Sequence, residues 1–260
     1  MSSARLCGNC KAVVPEEHFY CGRCGARYDE DGKREADETL FFGAMQAPGR
    51  AKLILIAGEG LEGLSYHLNA TRHGAGRGKG VILFPDDNYL DEAHAVFFYR
   101  SNQLFLSDDE SINGTFLQIR GPKVLEDGDE FLVGRQRFRV EKLDLKDEYS
   151  TGDGTLVYVS PSKGYRFRLL HILEGQLPGS GYCSVHNALT IGREGTDVLL
   201  PEDRHVCKEH ARVSVEDGEL VLRDMGSKNG TFLRVKKAEG LHHGDYIFLG
   251  SELMRVEINV

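Results

Sequence analysis

The sequence predicts an all-β protein: two β-sandwiches in tandem behind a small cysteine-rich module. Three observations predict it. Four of the six cysteines fall within the first 24 residues as two Cys-x2-Cys pairs, and most of the remaining chain repeats itself at a fixed interval of 116 residues. Within each copy the apolar residues come in short runs separated by turn clusters, and no stretch supports a long amphipathic helix. The 260 residues suit one to three domains. Lys+Arg 32 against Asp+Glu 40 leaves a formal net charge of -8, which argues against a general nucleic-acid coat or a binder of anionic membranes. The longest wholly apolar run, Leu53 to Ala57, is far shorter than a membrane helix, and Met1 to Cys10 lacks a signal-peptide core. The expectation is a cytoplasmic protein with no membrane partner.

The first element is residues 1–28. Cys7-x2-Cys10 and Cys21-x2-Cys24 are separated by ten residues, and each pair reads Cys-Gly-x-Cys. In a reducing compartment this spacing points to a structural Zn2+ site rather than to disulfides. Each short loop offers two thiolates, and two loops complete a tetrahedron with Zn–S of about 2.3 Å. Gly8, Gly22 and Gly25 supply backbone freedom at the knuckles, and four thiolates leave His18 unnecessary as a ligand. The segment resembles a zinc ribbon. Residues 1–36 carry six basic and six acidic side chains, so a structural or protein-docking role is favoured over nucleic-acid binding.

Residues 29–50 read as a linker, rich in charge without periodicity. Within it, Thr39 follows an acidic run and precedes Leu40-Phe41-Phe42, a pattern suited to phosphorylation by a threonine kinase. The repeat then begins. A shift of 116 residues aligns Leu53-Ile-Leu-Ile-Ala with Leu169-Leu-His-Ile-Leu, Gly76-Arg77 with Gly192-Arg193, and His94-Ala95 with His210-Ala211. It also aligns Ser111-x-Asn113-Gly-Thr-Phe-Leu with Ser227-x-Asn229-Gly-Thr-Phe-Leu, Gly128-Asp129 with Gly244-Asp245, and Arg139-Val-Glu with Arg255-Val-Glu, all without a gap. Two copies of one domain are expected, at 51–144 and 156–260, joined by a linker at 145–155. Turn clusters such as Glu216-Asp-Gly and Gly226-Ser-Lys-Asn-Gly mark hairpins of a sandwich.

The positions shared by the copies are mostly loop residues. Gly-Arg, then a His, then Ser-x-Asn-Gly-Thr-Phe, then Gly-Asp before a closing strand resembles the forkhead-associated (FHA) domain. In the second copy these are Thr190-Ile-Gly192-Arg193, Val206-Cys207-Lys208-Glu209-His210-Ala211, Asp224-Met-Gly-Ser227-Lys228-Asn229-Gly230-Thr231, and Gly244-Asp245. The resemblance implies an eleven-stranded sandwich whose apical loops bind phosphothreonine. Such a residue carries about -1.5 to -2 charge and three acceptor oxygens, so its pocket needs cationic and N–H or O–H donors. On that mapping Arg193, Cys207, Lys208, Ser227, Lys228 and Asn229 bind the phosphothreonine segment. Arg193 pairs with the phosphate and Asn229 holds the neighbouring backbone. Gly192, His210 and Gly230 form the scaffold, with His210 tying one loop to the next.

The copies differ in chemistry. The family's Ser three residues before the His is Cys207 in the second copy and Asp91 in the first. A thiol is a weak donor of similar shape, a loss of about 1 kcal/mol. A carboxylate ~4 Å from phosphate is repulsive by about 4 kcal/mol at an effective dielectric of about 20. Where the second copy has Arg204, His205, Lys208, Arg212 and Lys228, the first has Asn88, Tyr89, Glu92, Val96 and Ile112. The first copy's Arg77, Asp91, His94 and Asn113 therefore read as a degenerate counterpart site.

The resulting expectation is a non-catalytic signalling adaptor: two FHA-like β-sandwiches preceded by a zinc ribbon. Its partners would be phosphothreonine proteins downstream of a Ser/Thr protein kinase, with self-association through phosphorylated Thr39 as one route. The alternative is a phospho-independent interaction protein or a nucleic-acid-associated regulator acting through the ribbon. No Gly-x4-Gly-Lys-Ser/Thr phosphate loop occurs, and Cys207 beside His205 and His210 is the only pairing that suggests a nucleophile.

Overall fold

A computed structural model describes residues 4–6, 11, 13–15, 51–58, 60–143, 152–155 and 164–258. Cys7, Cys10, Cys21, Cys24 and Thr39 lie outside the described residues. The chain divides into two compact units, Met1–Gln46 and Ala47–Val260. In the first unit β1 (Ala4–Leu6) pairs antiparallel with β2 (Val13–Pro15), Leu6 opposite Val13. The described remainder is β-structure with one 3-10 turn at Glu174–Gln176. No helix among the described residues is long and apolar enough to cross a membrane.

The first repeat supplies β3 (Ala51–Ala57), β4 (Ser65–His67), β5 (Arg72–Gly76), β6 (Ile82–Leu83), β7 (Ala95–Arg100), β8 (Gln103–Asp108), β9 (Thr115–Gln118), β10 (Lys123–Leu125), β11 (Glu130–Val133) and β12 (Gln136–Lys142). The second supplies β13 (Phe167–Ile172), β14 (Pro178–Cys183), β15 (Ala188–Gly192), β16 (Val198–Leu199), β17 (Ala211–Glu216), β18 (Glu219–Asp224), β19 (Thr231–Arg234), β20 (Glu239–Gly240), β21 (Tyr246–Leu249) and β22 (Glu252–Ile258). Every strand of the first repeat has its counterpart at the interval of 116 read from the sequence. Each repeat holds ten strands among the described residues, one fewer than the resemblance implied.

Local sequence explains the strands. In β3, Ala51, Leu53 and Leu55 point inward while Lys52, Ile54 and Ile56 are half-exposed, the two-residue period of a half-buried strand. Asp217 and Gly218 both take positive φ (49° and 86°) between β17 and β18, as a tight hairpin turn of right-handed strands requires. Ser101 and Asn102 (47° and 68°) do the same between β7 and β8.

The reading of 51–144 and 156–260 as self-contained domains changes in one respect: the repeats exchange their last three strands. One sheet of five strands runs β20-β8-β7-β5-β6 and another runs β10-β18-β17-β15-β16. Both pack against halves of a single ten-stranded sheet, ordered β14-β13-β12-β11-β19-β9-β21-β22-β3-β4. The first sandwich is therefore β3–β9 closed by β20–β22, and the second is β13–β19 closed by β10–β12. The cores follow the same division. Leu53, Leu55, Phe97 and Leu106 pack with Val235, Leu241, Ile247 and Met254. Phe167, Leu169, Ile191 and Val213 pack with Ile119, Leu125, Phe131 and Phe138. The chain crosses over after β9, where Ile119 enters the second core, and after β19, where Val235 enters the first.

The strands meet at a pseudo-dyad. β9 and β19 pair antiparallel with Leu117 opposite Leu233, which are equivalent positions of the two repeats. β11 pairs with β19 with Phe131 opposite Leu233, and β21 pairs with β9 with Ile247 opposite Leu117. This register gives a physical reason for the exchange. It sets Glu130 beside Arg234, whose Nη1 lies 2.8 Å from Glu130 Oε2, and Arg137 and Arg139 complete the cluster. Repeats closed on themselves in the same register would face Glu130 with Gln118 and leave Arg234 opposite Tyr246. Burial pushes the Glu130 carboxyl up, but hydrogen bonds from the three guanidiniums outweigh it and hold the group below the ordinary carboxylate range.

Candidate functional site: two loop clusters in one frame

The loops that follow β5, β6 and β8 gather at one end of the first sandwich, and those that follow β15, β16 and β18 at one end of the second. Because the exchange occurs after β9 and β19, each cluster draws its loops from a single repeat.

In the second cluster β15 ends at Gly192, where a β-carbon would stand 1.9 Å from the Lys208 carbonyl oxygen, so only glycine fits. The next amide, Arg193 N–H, donates to the Cys207 carbonyl (3.0 Å). His210 is fully buried. Its Nδ1 accepts from Cys207 N–H (3.1 Å) and its Nε2 donates to the Gly230 carbonyl (3.0 Å), which joins the two loops. Asn229 Nδ2 donates to the His205 carbonyl (2.8 Å), and Lys228 N–H donates to Cys207 Sγ (3.3 Å). Arg193, Lys208, Lys228 and Asn229 are exposed around the half-buried Cys207. Lys208 pairs with Glu194 (2.7 Å), and Arg193 makes no ion pair among the described residues.

Ser227, grouped with the phosphate ligands from sequence, is used differently. Its Oγ donates to Asp224 Oδ2 (2.6 Å) and accepts from Gly230 N–H (2.9 Å), and Thr231 Oγ1 donates to the same Asp224 oxygen (2.7 Å). Asp224 is thus the post around which the Ser227–Thr231 loop turns. Burial pushes its carboxyl up, but the hydroxyls of Ser227 and Thr231 and the Ser227 amide hold it below the usual range. Sequence reasoning placed Asp224 in the motif without giving it a role, although the pattern Asp-x2-Ser-x3-Thr recurs at Asp108, Ser111 and Thr115.

The first cluster reproduces this frame. Ser111 Oγ donates to Asp108 Oδ1 (2.6 Å), His94 Nδ1 accepts from Asp91 N–H (3.2 Å), and His94 Nε2 donates to the Gly114 carbonyl (3.2 Å). Asn113 Nδ2 donates to the Tyr89 carbonyl (2.8 Å). The differences sit where the sequence changes. Asp91 Oδ2 accepts from Ile112 N–H (2.7 Å), so a carboxylate takes the loop amide that a thiol holds in the second cluster. Arg77 has Glu92 Oε1 at 3.7 Å. An incoming anion would meet Arg77 with two carboxylates here and, in the second cluster, Arg193 and two lysines with the single carboxylate of Glu194.

Each cluster also rests on the other repeat. A β-carbon on Gly230 (φ +78°) would lie 1.9 Å from Gln118 Nε2, and one on Gly114 (φ +81°) would lie 2.4 Å from Arg234 Nε. Asp203, which is buried, accepts from His205 N–H through Oδ1 (2.9 Å) and from Arg135 N–H (2.8 Å) and Gln136 Nε2 (2.9 Å) through Oδ2. Its counterpart Asp87 accepts from Tyr89 N–H and Ser251 N–H, both at 2.8 Å. Sequence reasoning missed these props. The Asp87/Asp203 pair is visible at the 116 interval, but its donors come from the exchanged turns.

As for a nucleophile, both nitrogens of His210 are committed to backbone groups, so neither is available to take the Cys207 thiol proton.

Comparison with known proteins finds a matching stretch inside each repeat. The family model for the FHA domain matches residues 74–134 and 189–250, one match in each repeat. Each matched segment spans both sandwiches in space. FHA domain-containing protein FhaB of Mycobacterium tuberculosis is 35% identical over 66 residues, 25% of this chain and 43% of that protein's length. The protein of the same name from Mycolicibacterium smegmatis matches to the same extent. The chain thus spans under half the length of these curated relatives. A structure solved in a study of phosphothreonine-dependent FHA domain interactions aligns over 81% of this chain and 97% of its own, at 12% identity and a TM-score of 0.32. The structure of Mycobacterium tuberculosis EmbR with a low affinity phosphopeptide aligns over 44% of this chain and 28% of its own, at 22% identity and a TM-score of 0.22.

Proposed function

We propose that this chain is a non-catalytic signalling adaptor that binds phosphothreonine-containing proteins through its second loop cluster. The observation that carries this reading is the chemical contrast within one frame. At matched positions Arg193, Cys207 and Lys208 replace Arg77, Asp91 and Glu92, and Asp91 already occupies a loop amide in the first cluster. A doubly charged phosphate gains from guanidinium and ammonium donors and loses against carboxylates. The two FHA family matches support the same reading, since phosphothreonine recognition is what that resemblance implies. The first cluster, with Glu92 beside its arginine and the Asp91 carboxylate on the Ile112 amide, serves as a phosphate-independent docking or structural surface.

Upstream of the sandwiches, Cys7, Cys10, Cys21 and Cys24 would hold one structural Zn2+. Four thiols in two Cys-x2-Cys pairs are the donor set zinc prefers, and Leu6 and Val13, which flank the first pair in the sequence, lie opposite each other on paired strands. Metal analysis of the purified chain checks it: about one zinc per chain, lost on Cys10→Ser with Cys24→Ser. Thr39, after its acidic run, is the site at which a Ser/Thr kinase could make a ligand for the second cluster in cis or in trans.

A phosphothreonine peptide pool, degenerate at flanking positions, tests the binding reading on the full chain. Retention of phosphorylated but not unphosphorylated peptides, lost on Arg193→Ala, is the expected result. Equal retention of both pools would refute it.

A further inference from the structure

The exchange has a consequence for recognition. We infer that the first repeat positions the phosphothreonine loops of the second, and that Gln136 and the turn it follows are positioning residues for a site they do not touch. This rests on the phosphothreonine reading of the second cluster.

The chain of contacts is continuous. The β11–β12 turn of the first repeat presents Arg135 N–H and Gln136 Nε2 to one oxygen of Asp203. The other oxygen of Asp203 holds the amide of His205, and the His205 carbonyl accepts from Asn229 Nδ2. Asn229 is the residue assigned to the peptide backbone, so two hydrogen-bonded residues separate it from the first repeat's turn. The turn is fitted closely. A β-carbon on Gly134 (φ +60°) would meet Val206 Cγ2 at 2.6 Å and Asp203 Oδ2 at 2.9 Å. Gln136 is fixed from its other side, its Oε1 lying 2.9 Å from His171 Nε2. A second prop from the same repeat, Gln118, lies under Gly230.

Asp203 is the link because a buried carboxylate must keep its donors. Without Gln136 Nε2 one oxygen loses a partner, and the carboxylate relaxes toward other donors, drawing the His205 segment and the Asn229 amide with it. The mirrored seat, Asp87 with Ser251, braces only the first cluster. If each repeat closed on itself, the assignment would reverse and Gln136 would brace the first cluster.

The experiment uses the full chain and the tightest-binding phosphothreonine peptide of the pool. Gln136→Ala is expected to weaken binding about fivefold to tenfold, the scale of one ordinary hydrogen bond felt indirectly through Asp203. It should also shift the NMR signals of the His205 amide and the Asn229 side-chain amide, a readout that mere loss of stability does not move in a folded sample. Gln136→Met, which keeps the length and removes the amide, serves if the alanine variant fails to fold. Asp87→Asn is the control and should change neither readout. Unchanged affinity and unchanged His205 and Asn229 signals in the Gln136 variants would overturn the inference, as would the loss of affinity appearing in Asp87→Asn instead. Shifted signals in a chain that binds no phosphothreonine peptide would uphold the positioning and defeat the functional reading.

Discussion

Gln118 of the first repeat lies beneath Gly230 of the second, its Nε2 standing 1.9 Å from where a β-carbon on Gly230 would be. Two demands therefore meet at this glycine. Its φ of +78° is one that only glycine adopts without cost, and the space that a side chain would need belongs to the other repeat. Gly230→Ala should destabilise the chain by about 2–3 kcal/mol, of which about 1–2 kcal/mol is the backbone cost alone. In a Gln118→Ala background the cost should fall to that backbone part. A double-mutant cycle in urea measures the coupling, and additive effects would mean that the two residues are not in contact.

The exchange predicts how the chain behaves when cut. A protease site placed within residues 145–151, followed by cleavage, should leave two fragments that elute together. Each sandwich needs strands from both fragments, and the Glu130–Arg234 pair crosses between them. Separation should need denaturant rather than salt, because both hydrophobic cores would have to open. Two fragments that part in 1 M salt would show self-closed repeats.

The first cluster should be recoverable as a phosphate site. Asp91→Ser with Glu92→Lys removes the carboxylate from the Ile112 amide and the one beside Arg77. The frame of His94, Asp108 and Ser111 is already in place, so the double variant should gain a second phosphothreonine site, tighter than the unaltered cluster by at least about tenfold. Calorimetry on an Arg193→Ala background isolates the effect.

Much of this frame was legible from the sequence, and the reasons are specific. Gly192, His210 and Gly230 stood out because they recur at a fixed interval in the loops of two copies that otherwise diverge. Ser227 reads as a phosphate donor because a loop hydroxyl beside an expected phosphate invites that role, and its bonds to Asp224 and Gly230 are visible only in the structure. The exchange was not legible. Two repeats with the same strand pattern satisfy the same hydrophobic alternation whether β11 closes on β9 or on β19. Arg234, set against Gln118 at the equivalent position, distinguishes the two closures, and its meaning depends on Glu130 lying opposite.

Acid should loosen the second cluster. The Asp203 and Asp224 carboxyls lie below the ordinary value near 4, held there by their hydrogen bonds against the upward push of burial. A depressed carboxyl contributes stability that is present above its unfolded pKa and is lost as pH falls through its folded one. Stability followed from pH 7 to pH 3 should therefore decline below about pH 4. Asp224→Asn should be less stable by about 2 kcal/mol at pH 7 and show a shallower acid limb, because a neutral amide has no proton to gain. Parallel acid limbs in the two proteins would remove Asp224 from this role.

The asymmetry between two clusters built on one frame is tested most directly by calorimetric titration of the full chain with its best phosphothreonine peptide. The predicted result is one peptide per chain, a heat signal abolished by Arg193→Ala and unchanged by Arg77→Ala. Two peptides per chain, or loss of binding on Arg77→Ala with retention on Arg193→Ala, would contradict it.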